Sequence, residues 1–116
     1  ILTSVGLDVT MGLFSDFVAV ATPDLVISTL PSDVGASWNV PHGVRASAVF
    51  FDVNYHPWPS PLASHWAECD QLVISGRRML AFQAIAQIRL FVNEDVETPL
   101  AEEGAVLSAM FDSIQL

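Results

Sequence analysis

The sequence contains no lysine, and its 116 residues include a single cysteine, Cys69. Four arginines are the only basic residues besides histidine, so the formal net charge is −9. Such a chain lacks the basic surface that neutralises nucleic-acid phosphates, and nucleic-acid binding is not expected. A lone cysteine forms no internal disulfide, which favours a reducing compartment. We therefore predict a cytoplasmic protein.

Long uninterrupted hydrophobic runs are also missing. The longest apolar stretch, residues 79–92, is interrupted by Gln83, Gln87 and Arg89. It is shorter than the roughly 18 clean residues that a membrane helix needs. The start of the chain shows no basic region followed by an apolar stretch and a cleavage site. We expect neither a membrane span nor a secretory signal.

Hydrophobic residues nevertheless make up 52% of the chain and charged residues only 15%. This balance is apolar for one small domain. The chain opens at Ile1 without a helix start signal. We therefore expect residues 1–116 to form a single, partial domain of a longer protein, with apolar surface that contacts another domain.

The hydrophobic pattern alternates between strand and helix. Strands are predicted at 7–10, 24–30, 48–54 and 71–75, and helices at 15–21, 61–69, 77–92 and 100–114. The two middle strands are continuous apolar runs, as parallel strands buried on both faces are. The alternation predicts an α/β fold, part of a doubly wound, Rossmann-like parallel sheet with helices on both faces.

The predicted helix 77–92 is apolar nearly all the way round, as helices buried on more than one side are. A small sheet covers only one side, so the other is expected to face a missing domain. Residues 93–116, an acidic loop and a last helix, are expected to pack on that same domain. The chain by itself is then expected to self-associate through these uncovered faces.

Two strand-to-helix junctions carry the candidate chemistry. Ligands bind outside the carboxyl ends of open parallel sheets, where Asn54 and Tyr55 follow one predicted strand and Gly76 follows the next. Glycine allows backbone to approach a flat ligand closely. About two turns into the following helix, the amide of Gln83 can donate to and accept from a polyhydroxylated substrate. The two junctions are expected to converge on one crevice.

These junctions resemble those of shikimate dehydrogenases. The family pattern runs Asp-x-x-Tyr-x-Pro, Ser/Thr-Pro-Leu, Gly-x-x-Met-Leu and Gln-Ala. Here it is matched, in order and with the same gaps, by Asp52, Tyr55, Pro57, Ser60, Pro61, Leu62, Gly76, Met79, Leu80, Gln83 and Ala84. The similarity covers about residues 24–92. It points to the carboxyl-terminal, nicotinamide-cofactor-binding half of such an enzyme.

The resemblance implies reduction of 3-dehydroshikimate to shikimate by hydride transfer from NADPH, with NAD as the alternative cofactor, in aromatic amino acid biosynthesis. It implies that Tyr55 and Gln83 bind the substrate and that Gly76 and Met79 lie along the nicotinamide, with Asn54 as a further cofactor-binding residue. The family's catalytic Lys and Asp come from an amino-terminal domain. No catalytic residue is therefore expected in this chain, and the chain alone is expected to be inactive.

Two other functions stay open at this point. One is a dehydrogenase acting on quinate or another cyclohexane carboxylate. The other is a non-catalytic α/β module that acts through its apolar faces. Arg77 and Arg78 stand where the family has apolar or acidic residues, and they either attract a phosphate or substrate carboxylate or are simply solvated.

A metal site is a weaker alternative. His65 and Cys69 are four residues apart on a predicted helix, and His56 is the available third ligand. Because zinc sites with so few ligands and no paired cysteines are rare, no metal is expected.

Overall fold

The structure, a computed structural model, describes residues 6–13 and 22–114. Its three strands are all parallel and form one sheet in the order β1-β2-β3. The strands are β1 (Leu25–Ser28), β2 (Val49–Asp52) and β3 (Val73–Ser75). The helices are α1 (Ser32–Gly35), α2 (His42–Arg45), α3 (Pro61–Ala67), α4 (Gly76–Asn93) and α5 (Glu103–Ser113).

The predicted Rossmann-like α/β class is confirmed by this parallel sheet and its helices. The prediction of a strand at 7–10 is wrong, because these residues are exposed and join no strand in the described part of the sheet. The predicted helix at 15–21 lies outside the described residues. Two single-turn helices, α1 and α2, were missed. Each follows a proline, Pro31 or Pro41, that the sequence pattern marks only as a turn.

The main core lies on one face of the sheet. Phe50 of β2 stacks on Trp66 of α3, with ring centroids 4.3 Å apart and planes inclined by 12°. The indole N–H of Trp66 donates to the carbonyl oxygen of Ala48 at 2.9 Å. The buried members of this core are Val26, Val40, Ala48, Phe50, Leu62, Ala63 and Trp66. Their packing fixes α3, and the loop that leads to it, against β2.

The opposite face of β1 is open. Val26 and Ser28 are buried, whereas Leu25 is 48% exposed and Ile27 is 54% exposed. The expectation that this strand is buried on both faces is therefore wrong for the described residues, since no described element covers the second face.

Helix α4 is covered on one side only. Gly76, Ala81 and Ile85 are its buried residues. Helix α5 packs beside it, with the rings of Phe82 and Phe111 edge to face at 5.8 Å. Besides Phe82, four large apolar side chains of α4 are exposed and are called here the α4 apolar face: Leu80, Leu90, Phe91 and Val92. The sequence of α4 is apolar nearly all the way round, but no second described element packs on its exposed side.

An ion pair also joins α4 to α5. Arg89 donates from Nε to Glu103 Oε2 at 2.7 Å and from Nη2 to Glu103 Oε1 at 2.5 Å. The N–H of Leu100 donates to Glu103 Oε2 at 3.0 Å. The hydrogen bonds from Arg89, followed by that from Leu100, lower the pKa of Glu103 to about 2.

The low pKa of Glu103 predicts that the contact between α4 and α5 is sensitive to acid. The folded-state pKa of Glu103 lies below the ordinary value of 4.5, so its contribution to stability is present above that value and is lost as the pH falls towards 2. We expect Glu103→Gln to lower the melting temperature at neutral pH and to lose less of it on acidification than the unsubstituted chain. Thermal unfolding followed by circular dichroism checks this, with exposed Glu102→Gln as control. Equal acid sensitivity of Glu103→Gln and the unsubstituted chain would contradict it.

Candidate active site at the carboxyl edge of the sheet

Three polar residues end the three strands side by side. The strand register pairs Ser28 with Asp52 and Asp52 with Ser75. All three are buried, and Asp52 is fully so. This row defines the carboxyl edge of the sheet, and the loops that leave it carry the residues that the sequence singled out.

Asp52 organises the loop that follows β2. Its Oδ1 accepts from the backbone N–H of Asn54 at 3.1 Å and from Asn54 Nδ2 at 2.7 Å. Its Oδ2 accepts from the hydroxyl of Ser60, whose own oxygen accepts from the N–H of Ala63 at 3.1 Å and so caps α3. One buried carboxyl group thus holds both ends of the loop 53–60. In the sequence Asp52 was noted only as part of the family pattern, although a carboxylate that ends a buried apolar strand is itself a signal of a structural role.

Asn54 also links two neighbouring loops. Its Nδ2 donates to the carbonyl oxygen of Leu30, after β1, at 2.7 Å as well as to Asp52. Both amide hydrogens are engaged in this way, so the side chain can meet a ligand through its oxygen. Its role as a cofactor-binding residue stays a prediction.

Gly76 is the point at which the two junctions meet. Its N–H donates to the carbonyl oxygen of Asn54 at 3.2 Å. A Cβ at this position would lie 2.1 Å from the carbonyl oxygen of Val53 and 2.9 Å from that of Asn54. Internal packing therefore requires glycine here, independently of the close ligand approach that the sequence suggested.

The remaining predicted residues stay accessible. Tyr55 is 53% exposed, Gln83 is exposed, and Met79 is half-buried. No described contact joins the side chains of Tyr55 and Gln83, which lie on different elements. Their accessibility permits ligand contact, and their binding roles stay predictions.

The two arginines at the start of α4 face α5. Arg77 donates from Nε to the carbonyl oxygen of Tyr55 at 3.0 Å and from Nη1 to that of Ile114 at 3.1 Å. The guanidinium carbon of Arg78 lies 5.7 Å from the centre of the Phe111 ring. The sequence left ligand attraction and solvation as the alternatives for these arginines and did not predict their contacts, since α5 lies far away along the chain.

Two buried hydroxyl groups at the carboxyl edge were also missed. Ser28 Oγ and Ser32 Oγ have no hydrogen-bond partner among the described residues. An unpaired buried hydroxyl costs about 1–3 kcal/mol. Ser28 ends β1 and Ser32 begins α1, so both lie where the chain leaves the sheet. A ligand with hydroxyl, amide or phosphate groups can supply the partners that they lack.

Neither a metal cluster nor a membrane helix is found in the part of the chain that the structure describes. No three His, Cys, Asp or Glu side chains there come together as metal ligands, and this includes the weak candidate set of His56, His65 and Cys69. None of the described helices combines the length and the apolar character that a bilayer crossing requires.

Comparison with known proteins gives a structural match. No family model and no curated protein matches the sequence. The shikimate dehydrogenase of Mycobacterium tuberculosis shares 32% identity, covers 87% of this chain and has a TM-score of 0.63. A shikimate 5-dehydrogenase from Mycobacterium fortuitum shares 30% identity, covers 90% of this chain and has a TM-score of 0.61. The chain spans 35% of the length of each of these proteins. In both sequence and fold, the chain is therefore similar to a segment of shikimate dehydrogenases.

Proposed function

We propose that this chain is the cofactor-binding half of a shikimate dehydrogenase, which reduces 3-dehydroshikimate to shikimate with NADPH. The observation that carries the proposal is the meeting of two family-patterned junctions, since the N–H of Gly76 donates to the carbonyl oxygen of Asn54. The similarity to two mycobacterial shikimate dehydrogenases supports it. The free Cys69 suits the cytoplasm, which we keep as the proposed location.

Gly76, Met79 and Asn54 are the residues that we propose for the cofactor. They lie at or just beyond the carboxyl edge, where nucleotide cofactors bind in open α/β sheets. The unpaired hydroxyl groups of Ser28 and Ser32 at the same edge fit a polar ligand. When bound, the nicotinamide would supply the hydride that the substrate ketone carbon, C3, accepts. The choice of NADP over NAD rests on the family resemblance.

Tyr55 and Gln83 are the residues that we propose for the substrate. The Gln83 amide can donate to one ring hydroxyl and accept from another. The exposed ring of Tyr55 can pack against the cyclohexene. The alcohol formed at C3 also needs a proton on its oxygen. This chain has no lysine to provide it, so we assign proton transfer to a second, amino-terminal domain and expect the chain alone to be inactive.

A binding measurement tests these roles on the chain itself. We expect shikimate and NADP⁺ to bind weakly, as seen by ligand-observed NMR, with no turnover in a spectrophotometric assay. Gln83→Ala removes one or two hydrogen bonds of about 0.5–1.5 kcal/mol each and should weaken shikimate binding about twofold or more.

The matched control is Gln87→Ala, an exposed glutamine one turn further along α4. It should leave shikimate binding unchanged. Equal weakening by both substitutions, or a folded chain that binds neither ligand, would contradict the proposal. Competition with quinate distinguishes a quinate-type dehydrogenase from one that prefers shikimate.

A non-catalytic interaction module is the second candidate function. The α4 apolar face favours it, because Phe91 is 84% exposed and Val92 is 67% exposed. In the dehydrogenase proposal the same face, together with the segment 93–116, packs on the missing domain. Binding of shikimate and NADP⁺ separates the two functions, since a pure interaction module binds neither.

Self-association is the expected behaviour of the chain on its own. Exposed apolar patches of this kind drive association in water. We expect dimers or larger species in sedimentation velocity at micromolar concentration, and Phe91→Glu should shift them towards monomer. Leu72→Glu, at an exposed leucine outside α4, is the control and should not. A monomeric unsubstituted chain would contradict this expectation.

A further inference from the structure

Arg77 connects three parts of the fold. Its backbone N–H donates to Ser75 Oγ at 3.1 Å, which anchors the residue in the first turn of α4. From there its side chain reaches the carbonyl oxygen of Tyr55 at 3.0 Å and that of Ile114, the C-cap of α5, at 3.1 Å. One guanidinium group thus contacts both the loop after β2 and the end of the last helix.

The chemistry of arginine suits this bridge. Its planar guanidinium carries five N–H groups in fixed directions, so two acceptors bound to it are held in a fixed relation. A cation at the start of α4 is disfavoured by the dipole of that helix, whereas one at the end of α5 is favoured. The contact with Ile114 therefore explains a basic residue at a position where the α4 dipole alone favours an acidic one.

We propose that Arg77 is a positioning residue that couples the packing of α5 on α4 to the position of the backbone at Tyr55. When α5 packs on α4, the carbonyl oxygen of Ile114 accepts from Arg77 Nη1. This contact orients the guanidinium group, and its Nε then donates to the carbonyl oxygen of Tyr55. The substrate side of the crevice is completed only when α5 is in place. The coupling is inferred from the contacts above. Its effect on substrate binding rests on the proposed function of Tyr55.

A spectroscopic experiment reads this coupling without a ligand. Tyr55 is the only tyrosine of the chain, so labelling with 3-fluorotyrosine gives a single ¹⁹F resonance from this position. We expect Arg77→Gln to shift or broaden the resonance. Arg77→Lys should do the same, because the ammonium group of lysine keeps the charge but lacks the planar set of N–H groups that binds two acceptors. Gln87→Ala, at an exposed residue of α4, is the control and should leave the resonance in place. Arg77→Lys also serves as the folded variant if circular dichroism shows that Arg77→Gln unfolds.

A double substitution tests the link to α5. Phe111→Ala removes the ring contacts with Phe82 and Arg78 and should shift the Tyr55 resonance when Arg77 is present. In the Arg77→Lys background we expect no further shift. The same Phe111→Ala shift in both backgrounds, or an equal effect of Gln87→Ala and Arg77→Lys, would overturn the proposal. Failure of shikimate to move the resonance of the unsubstituted chain counts against the proposed function alone.

Discussion

Replacing Gly76 by alanine is expected to remove a large part of the folding stability of the chain. The added Cβ would lie 2.1 Å from the carbonyl oxygen and 2.5 Å from the carbonyl carbon of Val53. Both are backbone atoms, so no side-chain rotation relieves the overlap, and the loop after β2 must move away from the start of α4. We expect a loss of about 4 kcal/mol or more, a large part of the roughly 5–15 kcal/mol that stabilises a typical domain. Urea unfolding followed by circular dichroism measures it.

Gly104→Ala provides the matched control. Gly104 lies in α5, and a Cβ built there meets no heavy atom within 4 Å. Alanine in a helix is favoured over glycine by about 0.5–1 kcal/mol, so this variant should be slightly more stable. If Gly76→Ala were as stable as the unsubstituted chain, the close packing of the loop after β2 against the start of α4 would be incorrect.

Asp52→Ala is expected to have the second largest effect. It leaves three donors without this acceptor: the buried hydroxyl of Ser60 and the part-buried backbone and side-chain N–H groups of Asn54. Each lost partner costs about 1–3 kcal/mol, partly recovered where water enters, so we expect a total of about 3–5 kcal/mol. The loop 53–60 should also loosen, because both of its ends lose their anchor. The free energy of unfolding and hydrogen exchange at the N–H of Asn54 report the two effects.

Two further variants separate the buried network from the loss of a charge. Asp52→Asn keeps the shape and one acceptor oxygen, and should cost less than Asp52→Ala. Asp112→Ala removes an exposed carboxylate from α5 and should change stability by no more than about 0.5 kcal/mol. Equal stability of Asp52→Ala and Asp112→Ala would show that the Asp52 network contributes nothing.

Local signals explain the elements that were predicted correctly. Ser60 and Pro61 mark the start of α3 as N-cap and first helical residue, and the helix begins there. The apolar runs at 24–30 and 48–54 contain β1 and β2, and α4 and α5 begin and end within three residues of their predicted bounds. Such features depend on the backbone preferences of neighbouring residues and on hydrophobic periodicity, both of which are present in the sequence.

Other features depend on residues far apart in the chain. The single-turn helices α1 and α2 are too short to show a period. Leu25 and Ile27, on the open face of β1, are as apolar as residues on a covered face. Their sequence therefore does not show whether another element packs on them. The site was predicted as two converging junctions from the general position of ligands in parallel sheets. The overlap that makes glycine necessary at position 76 depends on the actual path of β2.

The sequence alone therefore determined the α/β class, the order of its main elements and the two junctions that resemble shikimate dehydrogenases. Short-range preferences and the family pattern are sufficient for that. Only the tertiary structure decided that Asp52 holds the loop after β2 and that Gly76 is required by the backbone of Val53. It also showed that the Arg77 side chain bridges to α5, whereas the sequence left solvation and ligand attraction as the alternatives. The physical reason is that hydrogen bonds and steric contacts between distant segments arise only when packing brings those segments together.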